Sequence, residues 1–382
     1  MAGLYIHIPF CASRCIYCNF YSTTSLKLRQ RYVDAVCREM SLLPAPSKER
    51  GSIDTIYLGG GTPSQLTPDQ LRQLFLYINK VYENQAVEVT IEMNPDDVTP
   101  AFAEILPRLG INRVSMGAQT FDNERLRFLH RRHTATQVRQ AVTALRNAGI
   151  HNISIDLMYG FPGETLDDWQ RDIEAALSLD VEHISAYCLM VEEGTALYER
   201  LKMKDEKLKM PNEELERQMY ELLIDKLTAA GYEHYEISNF AKPGYRSKHN
   251  SSYWQDIPYI GLGAAAHSYT VLGGSSSETT AFRSWNVADI HQYIEAIEHG
   301  ELPSEQEEID GDTHYNDRIT VALRTSDGLD LTTLSDRHRR YCMKEAQRFL
   351  DDGLLQLCDN RLSLTRKGLF VSDYIMSSLI MV

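Results

Sequence analysis

Leu4-Tyr5-Ile6-His7-Ile8-Pro9-Phe10 runs directly into Cys11-Ala12-Ser13-Arg14-Cys15-Ile16-Tyr17-Cys18, and this stretch decides the fold. A β-prone run stops at Pro9, and three cysteines follow in a tight group. The chain has seven cysteines, and Cys37, Cys188, Cys342 and Cys358 are scattered. A disulfide framework needs an even, spread set in a secreted chain. A crowded trio reads instead as metal or redox chemistry, and the scattered four as small buried hydrophobes. Structural zinc wants four ligands, usually in two knuckles. Here the fourth would be His7 or a distant group, and no second CxxC exists. A [4Fe–4S] cluster on three thiolates keeps one iron open to a ligand.

Working outward, short β-rich runs alternate with helical patterns over the first 235 residues. Strands are predicted at Leu4–Ile8, Ile53–Leu58, Val87–Glu92, Arg113–Met116, Ile153–Met158 and His183–Leu189. They read mostly as apolar runs, as in a parallel sheet covered on both faces. Leu71, Leu74, Phe75, Ile78 and Val81 keep helical spacing, as do Val138, Ala141, Val142 and Leu145 before Gly149. Thr165 is placed to cap a helix through Trp169 and Ile173, and Leu215 to Leu227 continues the pattern. Alternating βα units predict a parallel sheet curled toward a partial (β/α)6 TIM-like barrel, with chemistry at the strand C-terminal ends. The unusual residues fall there. The second strand ends in Gly59-Gly60-Gly61-Thr62-Pro63 and the third on Glu92. Gln119 follows the fourth, and the fifth carries Asp156 before Gly160-Phe161-Pro162-Gly163.

Three regions are expected: 1–235 as the barrel, 236–286 as a loop-rich segment, and 287–382 as a smaller, mainly helical, winged-helix-like domain. The last has helices near Asp289–Glu298, Thr313–Leu323 and His338–Asp352, then a hairpin turning at Asp359-Asn360. The 382 residues carry a net charge of −14, with 43% apolar and 24% charged residues. Such an acidic chain has no electrostatic reason to coat nucleic acid, and Arg337-His338-Arg339-Arg340 reads as a solvated helix face. No apolar window is long enough for a membrane span, and the N-terminus lacks a signal peptide's features, so a cytoplasmic location is expected.

CxxxCxxC after an N-terminal strand, with Tyr17 before the third cysteine and a Gly-Gly-Gly-Thr loop after the second strand, resembles the radical S-adenosylmethionine (SAM) superfamily. The resemblance implies that the open iron chelates SAM, whose reductive cleavage gives a 5′-deoxyadenosyl radical, with the electron coming from a donor protein. Five segments narrow it to the coproporphyrinogen III dehydrogenase-like family: Tyr5–Cys11, Leu58–Pro63, Ser115–Phe121, Ile155–Gly163 and Gly261–Ser268. Carried over by motif, Cys11, Cys15 and Cys18 are the metal ligands and Tyr5 lies beside the cluster. Gly60, Gly61 and Thr62 sit by the methionine end of SAM, where glycine lets the backbone approach. Glu92, Gln119, Arg131 and Asp156 line the SAM site. Arg131 can pair with a carboxylate, and Gln119 and Asp156 with ribose hydroxyls.

Two departures separate branches of that family. The dehydrogenase has a further cysteine where this chain has Phe20, and an extension before the Tyr-x-His-Ile-Pro-Phe motif where this sequence has four residues. Both resemble the sister group of heme chaperones, typified by His-Asn-x-x-Tyr-Trp, here His249-Asn250-Ser251-Ser252-Tyr253-Trp254. That resemblance implies heme as a third bound group and apo-proteins such as respiratory cytochromes as acceptors. It also implies passing contact with complexes at the inner membrane face. His249 is the candidate heme residue, with His267 and the cysteines as rival ligands. Oxidative decarboxylation of coproporphyrinogen III is the alternative activity.

Overall fold

The computed structural model describes residues 2–43, 52–82, 84–203, 208–272 and 280–381. Six strands carry the architecture: β1 (Ala2–Ile8), β2 (Ile53–Gly60), β3 (Asn84–Met93), β4 (Arg113–Gln119), β5 (Asn152–Tyr159) and β6 (His183–Cys188). Each runs parallel to the next. β7 (Glu233–Glu236) and β8 (Asn239–Ala241) extend the sheet beyond β6. On the other side β9 (Tyr259–Leu262) pairs parallel with β1. β10 (His267–Leu272), β11 (Thr280–Asn286) and β12 (Ser304–Ile309) follow antiparallel. The result is a single sheet of 12 strands.

Helices Pro68–Val81, Ala135–Asn147 and Leu166–Leu177 make three of the crossings between parallel strands, and each begins with a capping box. Thr67 with Gln70, Thr134 with Gln137 and Thr165 with Asp168 satisfy orphan amides in both directions, each cap contributing about 1 kcal/mol.

The strands alternate more strictly than their apolar look suggests. Leu4, Ile6 and Ile8 of β1, Ile56 and Leu58 of β2, Val114 and Met116 of β4, and Ile153, Ile155 and Leu157 of β5 are all 0% exposed. They belong to the main core shared with the helices, and burial of each such side chain stabilises by about 1.5–3 kcal/mol. The intervening positions point the other way. They are Tyr5 and His7, Thr55 and Tyr57, Glu88, Thr90 and Glu92, Arg113 and Ser115, Ser154 and Asp156, and His183 and Ser185. The expectation of apolar cover on both faces therefore holds for the helix face only. The sheet curls its polar face inward, because side chains of β3 through β6 and the glycine end of β2 line one common cavity.

The segment expected as loop is more ordered than its Gly, Ser and Tyr content suggests. It holds β8 to β11 and the helix Lys248–Trp254; its Gly–Ser-rich stretch 273–279 lies outside the described residues. Glu39, 1% exposed, anchors it by accepting from Gly263 N at 2.8 Å, Asn286 Nδ2 at 2.6 Å and Tyr293 OH at 2.5 Å. The C-terminal region has its own core of Tyr315, Ile319, Cys342, Phe349, Leu362 and Ile375. Helices Gly311–Ala322, Asp336–Asp351 and Ser372–Leu379 pack there around a three-stranded sheet. Among the described residues no helix is long and apolar enough to cross a membrane.

Candidate functional site

A cavity of about 630 Å³ opens where the parallel strands end, and the cysteine loop forms one wall. The ends of that loop are pinned together: Cys11 N donates to Thr23 O at 2.9 Å and Thr23 N to Pro9 O at 2.7 Å. Its middle is held by Ile16, 2% exposed, in a small core with Leu129, Met158, Phe161, Leu189 and Leu197. Burying the residue between two cysteines turns the flanking thiols toward the cavity. Cys11, Cys15 and Cys18 all line it and none is disulfide-bonded. Burial first, and then the neighbouring thiols, raise the Cys11 and Cys18 pKa above the ordinary value.

The glycine loop closes on this wall. Gly60 has φ +108°, and a Cβ there would fall 2.5 Å from the His7 ring. A Cβ on Gly61 would meet the Pro9 carbonyl carbon at 2.8 Å, and Gly61 N instead donates to Ile8 O at 2.9 Å. These glycines are needed for loop-to-loop approach as much as for any ligand. Thr62, 6% exposed, brings Oγ1 to 3.5 Å from Cys11 Sγ.

Polar groups from successive strand ends form the floor. Glu92 accepts from Tyr57 OH at 2.8 Å and from Gly60 N at 3.1 Å. Its carboxyl is nevertheless pushed up to about 7, chiefly by burial. Asp156, beside the Ser115 hydroxyl at 3.4 Å, is pushed up to about 6 for the same reason. Gln119 sits in the left-handed region, φ +65°, at a bulge between β4 and β5. A non-glycine residue there costs roughly 1–2 kcal/mol, and the distortion aims its side chain inward. Arg131 reaches the same place from the following loop. Its Nη2 donates to Asn94 Oδ1 at 2.6 Å and Gly117 O at 2.7 Å, while Nη1 lies 3.5 Å from Cys15 Sγ. Arg132 also touches the cavity but is paired with Asp96 and Asp97, each at 2.9 Å.

The structure thus gathers eleven sequence-chosen residues round one cavity: the three cysteines, Tyr17, Gly60, Gly61, Thr62, Glu92, Gln119, Arg131 and Asp156. It does not bring Tyr5 or His249 to that lining. Tyr5 OH is spent on His7 Nδ1 at 3.1 Å. His249 is 1% exposed near the start of the strands, with Nδ1 bonded to Thr55 Oγ1 at 2.8 Å and Nε2 to Tyr253 OH at 2.9 Å. Burial first, then the Arg113 charge, lowers its pKa to about 3, so the ring is neutral. Cys188 lines the cavity and Cys358 is exposed, so only Cys37 and Cys342 match the buried role expected of all four scattered cysteines. Sequence reasoning missed Asn94, Ser115 and Tyr187. Asn94 was findable, standing between Glu92 and Pro95 where a strand ends against a turn. Phe20, Tyr187 and Met190 form an apolar mouth, 71%, 45% and 68% exposed.

A second cavity, about 510 Å³, lies between the helix Lys248–Trp254 and the C-terminal region. Trp254, Tyr235, Arg246, Arg318 and Arg361 line it. Buried Glu88 fixes the start of that helix by accepting from Lys248 N at 3.0 Å and His249 N at 2.9 Å.

A family model described as the Radical SAM superfamily matches residues 5–176, and one described as the HemN C-terminal domain matches residues 309–371. The heme chaperone HemW of Bacillus subtilis (strain 168) is 36% identical over 377 residues, 96% of each chain. The heme chaperone HemW of Mycobacterium tuberculosis (strain ATCC 25618 / H37Rv) is 33% identical over 384 residues, 99% of this chain and 94% of that one. The structure of Escherichia coli coproporphyrinogen III oxidase (HemN) matches with a TM-score of 0.81, covering 99% of this chain and 89% of that one. At 21% identity this is a likeness of fold.

Proposed function

This chain belongs to the radical SAM superfamily, in the family of the heme chaperones named HemW, and on that premise we propose that it binds heme and hands it to apo-proteins such as respiratory cytochromes. Membership implies a [4Fe–4S] cluster and SAM, and the residues present fit both. Among the described residues no three His, Cys, Asp or Glu groups close round a point as a single ion requires. Three thiols spread along one wall of a large cavity suit a group with extent. Cys11, Cys15 and Cys18 would hold the cluster. When bound together, cluster and SAM supply one-electron chemistry at the sulfonium.

The chain's own residues bind and orient. Arg131, fixed by Asn94 and Gly117 O, presents a guanidinium beside Cys15 to a carboxylate. Gln119 and Asp156 accept or donate to hydroxyls. Glu92 and Asp156 are costly buried acids, and a cationic ligand offsets that cost. Phe20 and Met190 put apolar surface at the mouth of the cavity.

The heme would meet the second cavity. Trp254 and Tyr235 offer flat apolar area, and Arg318, held by Thr333, a cation for a propionate, while Arg246 and Arg361 are paired with Glu233, Asp327 and Asp330. In this reading His249 holds the helix from inside, and the surface of the motif is Trp254. The observation that carries the proposal is the match to a heme chaperone over 96% of both chains. Phe20, where the dehydrogenase has a cysteine, supports it. The test uses anaerobic, reconstituted protein. Stoichiometric heme uptake and transfer to an apo-cytochrome are expected, with no protoporphyrinogen formed from coproporphyrinogen, SAM and reductant. Robust protoporphyrinogen formation overturns it in favour of the decarboxylase.

A further inference from the structure

The two cavities are joined through the barrel interior by contacts at hydrogen-bond and stacking distance. Gly60 N donates to Glu92, and Tyr57 OH donates to the other oxygen of the same carboxylate at 2.8 Å. The Tyr57 ring, 9% exposed, stacks on His249 with centroids 5.1 Å apart and planes at 26°. His249 is the second residue of the helix that ends on Trp254. The register explains the path: Thr55 and Tyr57 are alternate residues of β2 and share its inward face. The ring has no room to slip. A Cβ on Gly3 would sit 3.1 Å from His249 Cε1, and one on Gly59 would sit 2.8 Å from Tyr57 Cε1 and 3.0 Å from Glu92 Oε1. Arg113, 1% exposed, has no partner for Nε or Nη1 among the described residues. Its charge acts on both Glu92 and His249.

We propose that Tyr57 is a positioning residue that ties the Glu92 floor of the first cavity to His249, so that ligand binding at the strand ends and the seating of the helix Lys248–Trp254 are energetically coupled. A ligand that draws on Glu92 competes with, or reinforces, the Tyr57 hydroxyl. Any shift of Tyr57 moves the ring on which His249 rests. His249 then carries the displacement along its helix to Trp254, which faces the second cavity. The tyrosine hydroxyl serves the upper contact and its ring the lower, so one substitution separates them. Tyr57→Phe keeps the stack and removes the bond to Glu92.

The proposal rests on the reading that SAM occupies the first cavity, and the experiment separates the two. Amide hydrogen exchange of residues 248–254 is followed in the anaerobic, cluster-loaded full chain with and without SAM, while calorimetry measures SAM binding in the same samples. In wild type, SAM is expected to change exchange over this helix by about fivefold or more, the low end of typical coupling between sites. In Tyr57→Phe, SAM still binds, with affinity reduced by up to about tenfold, and the response of the helix is lost. SAM binding without any response in wild type, or an equal response in Tyr57→Phe, overturns the coupling and leaves the cofactor reading intact. Failure of SAM to bind wild type brings down both.

Discussion

At the end of the barrel where the strands finish, side chains stand round a cavity of about 630 Å³ with donors and thiols turned to it. At the end where they begin, His249 has both ring nitrogens engaged, and Glu88 is used on helix amides. Both ends are polar and both carry motif residues. They differ in what the polar groups face: His249 and Glu88 are spent on protein partners in a filled interior, whereas the thiols and acids at the other end border open volume. A satisfied buried network holds structure, whereas costly acids and free thiols beside open volume are prepared for a ligand. A histidine in a motif therefore means different things at the two ends of one strand.

The sharpest way to break this comparison is at the cysteines. Cys11→Ala, Cys15→Ala or Cys18→Ala should abolish the iron–sulfur absorbance of reconstituted protein, while Cys37→Ala, buried in the helix Arg29–Leu42, leaves it. Loss with Cys37→Ala alone contradicts the ligand assignment. At the other end, His249→Ala should cost about 2–4 kcal/mol in denaturant unfolding, because it opens a buried hole and strands Thr55 and Tyr253. The same variant should keep its cluster, and heme uptake should weaken as the helix loosens. A change below about 0.5 kcal/mol, as at an ordinary surface position, would mean that His249 does not anchor the helix.

How much was legible in the sequence follows the same division. The cysteine wall, the glycine loop and the floor acids are short local patterns at strand ends, and the order of βα units places them on one rim. The interior polarity was legible too, since His183-Ile184-Ser185-Ala186 alternates plainly, but apolar composition masked the period. The orientation of His249 was not legible. Nothing local reveals that Thr55 and Tyr57, almost 200 residues earlier, meet its ring. β9 to β12 were equally hidden: Gly261 and Gly263 look like turn residues, yet they mark where backbone and Tyr32 pack too closely for a side chain.

Two smaller effects sharpen the contrast. Arg131→Lys should weaken SAM binding by about tenfold or more, because one ammonium cannot span Asn94, Gly117 O and a ligand carboxylate. Arg132→Lys, already committed to Asp96 and Asp97, should change it by less than about threefold. Smallest is a pH effect on the ligand-free chain. Glu92 rises from 4.5 to about 7 and Asp156 from 3.8 to about 6 on folding. The folded state thus holds these protons more tightly than the unfolded one. Their stabilisation is fully present below the unfolded values and is lost as pH rises through the folded ones. Thermal unfolding of Glu92→Gln should therefore improve relative to wild type as pH goes from 4.5 to 7. A difference that is flat with pH contradicts the buried-acid floor.

The most direct test of the account is Mössbauer spectroscopy of anaerobically reconstituted, iron-57-loaded protein, before and after SAM. The expected result is a [4Fe–4S] spectrum in which one iron of the four changes its parameters when SAM is added. A protein that holds zinc in its place, or a cluster whose four irons ignore SAM, contradicts the claim that three thiolates leave one corner open.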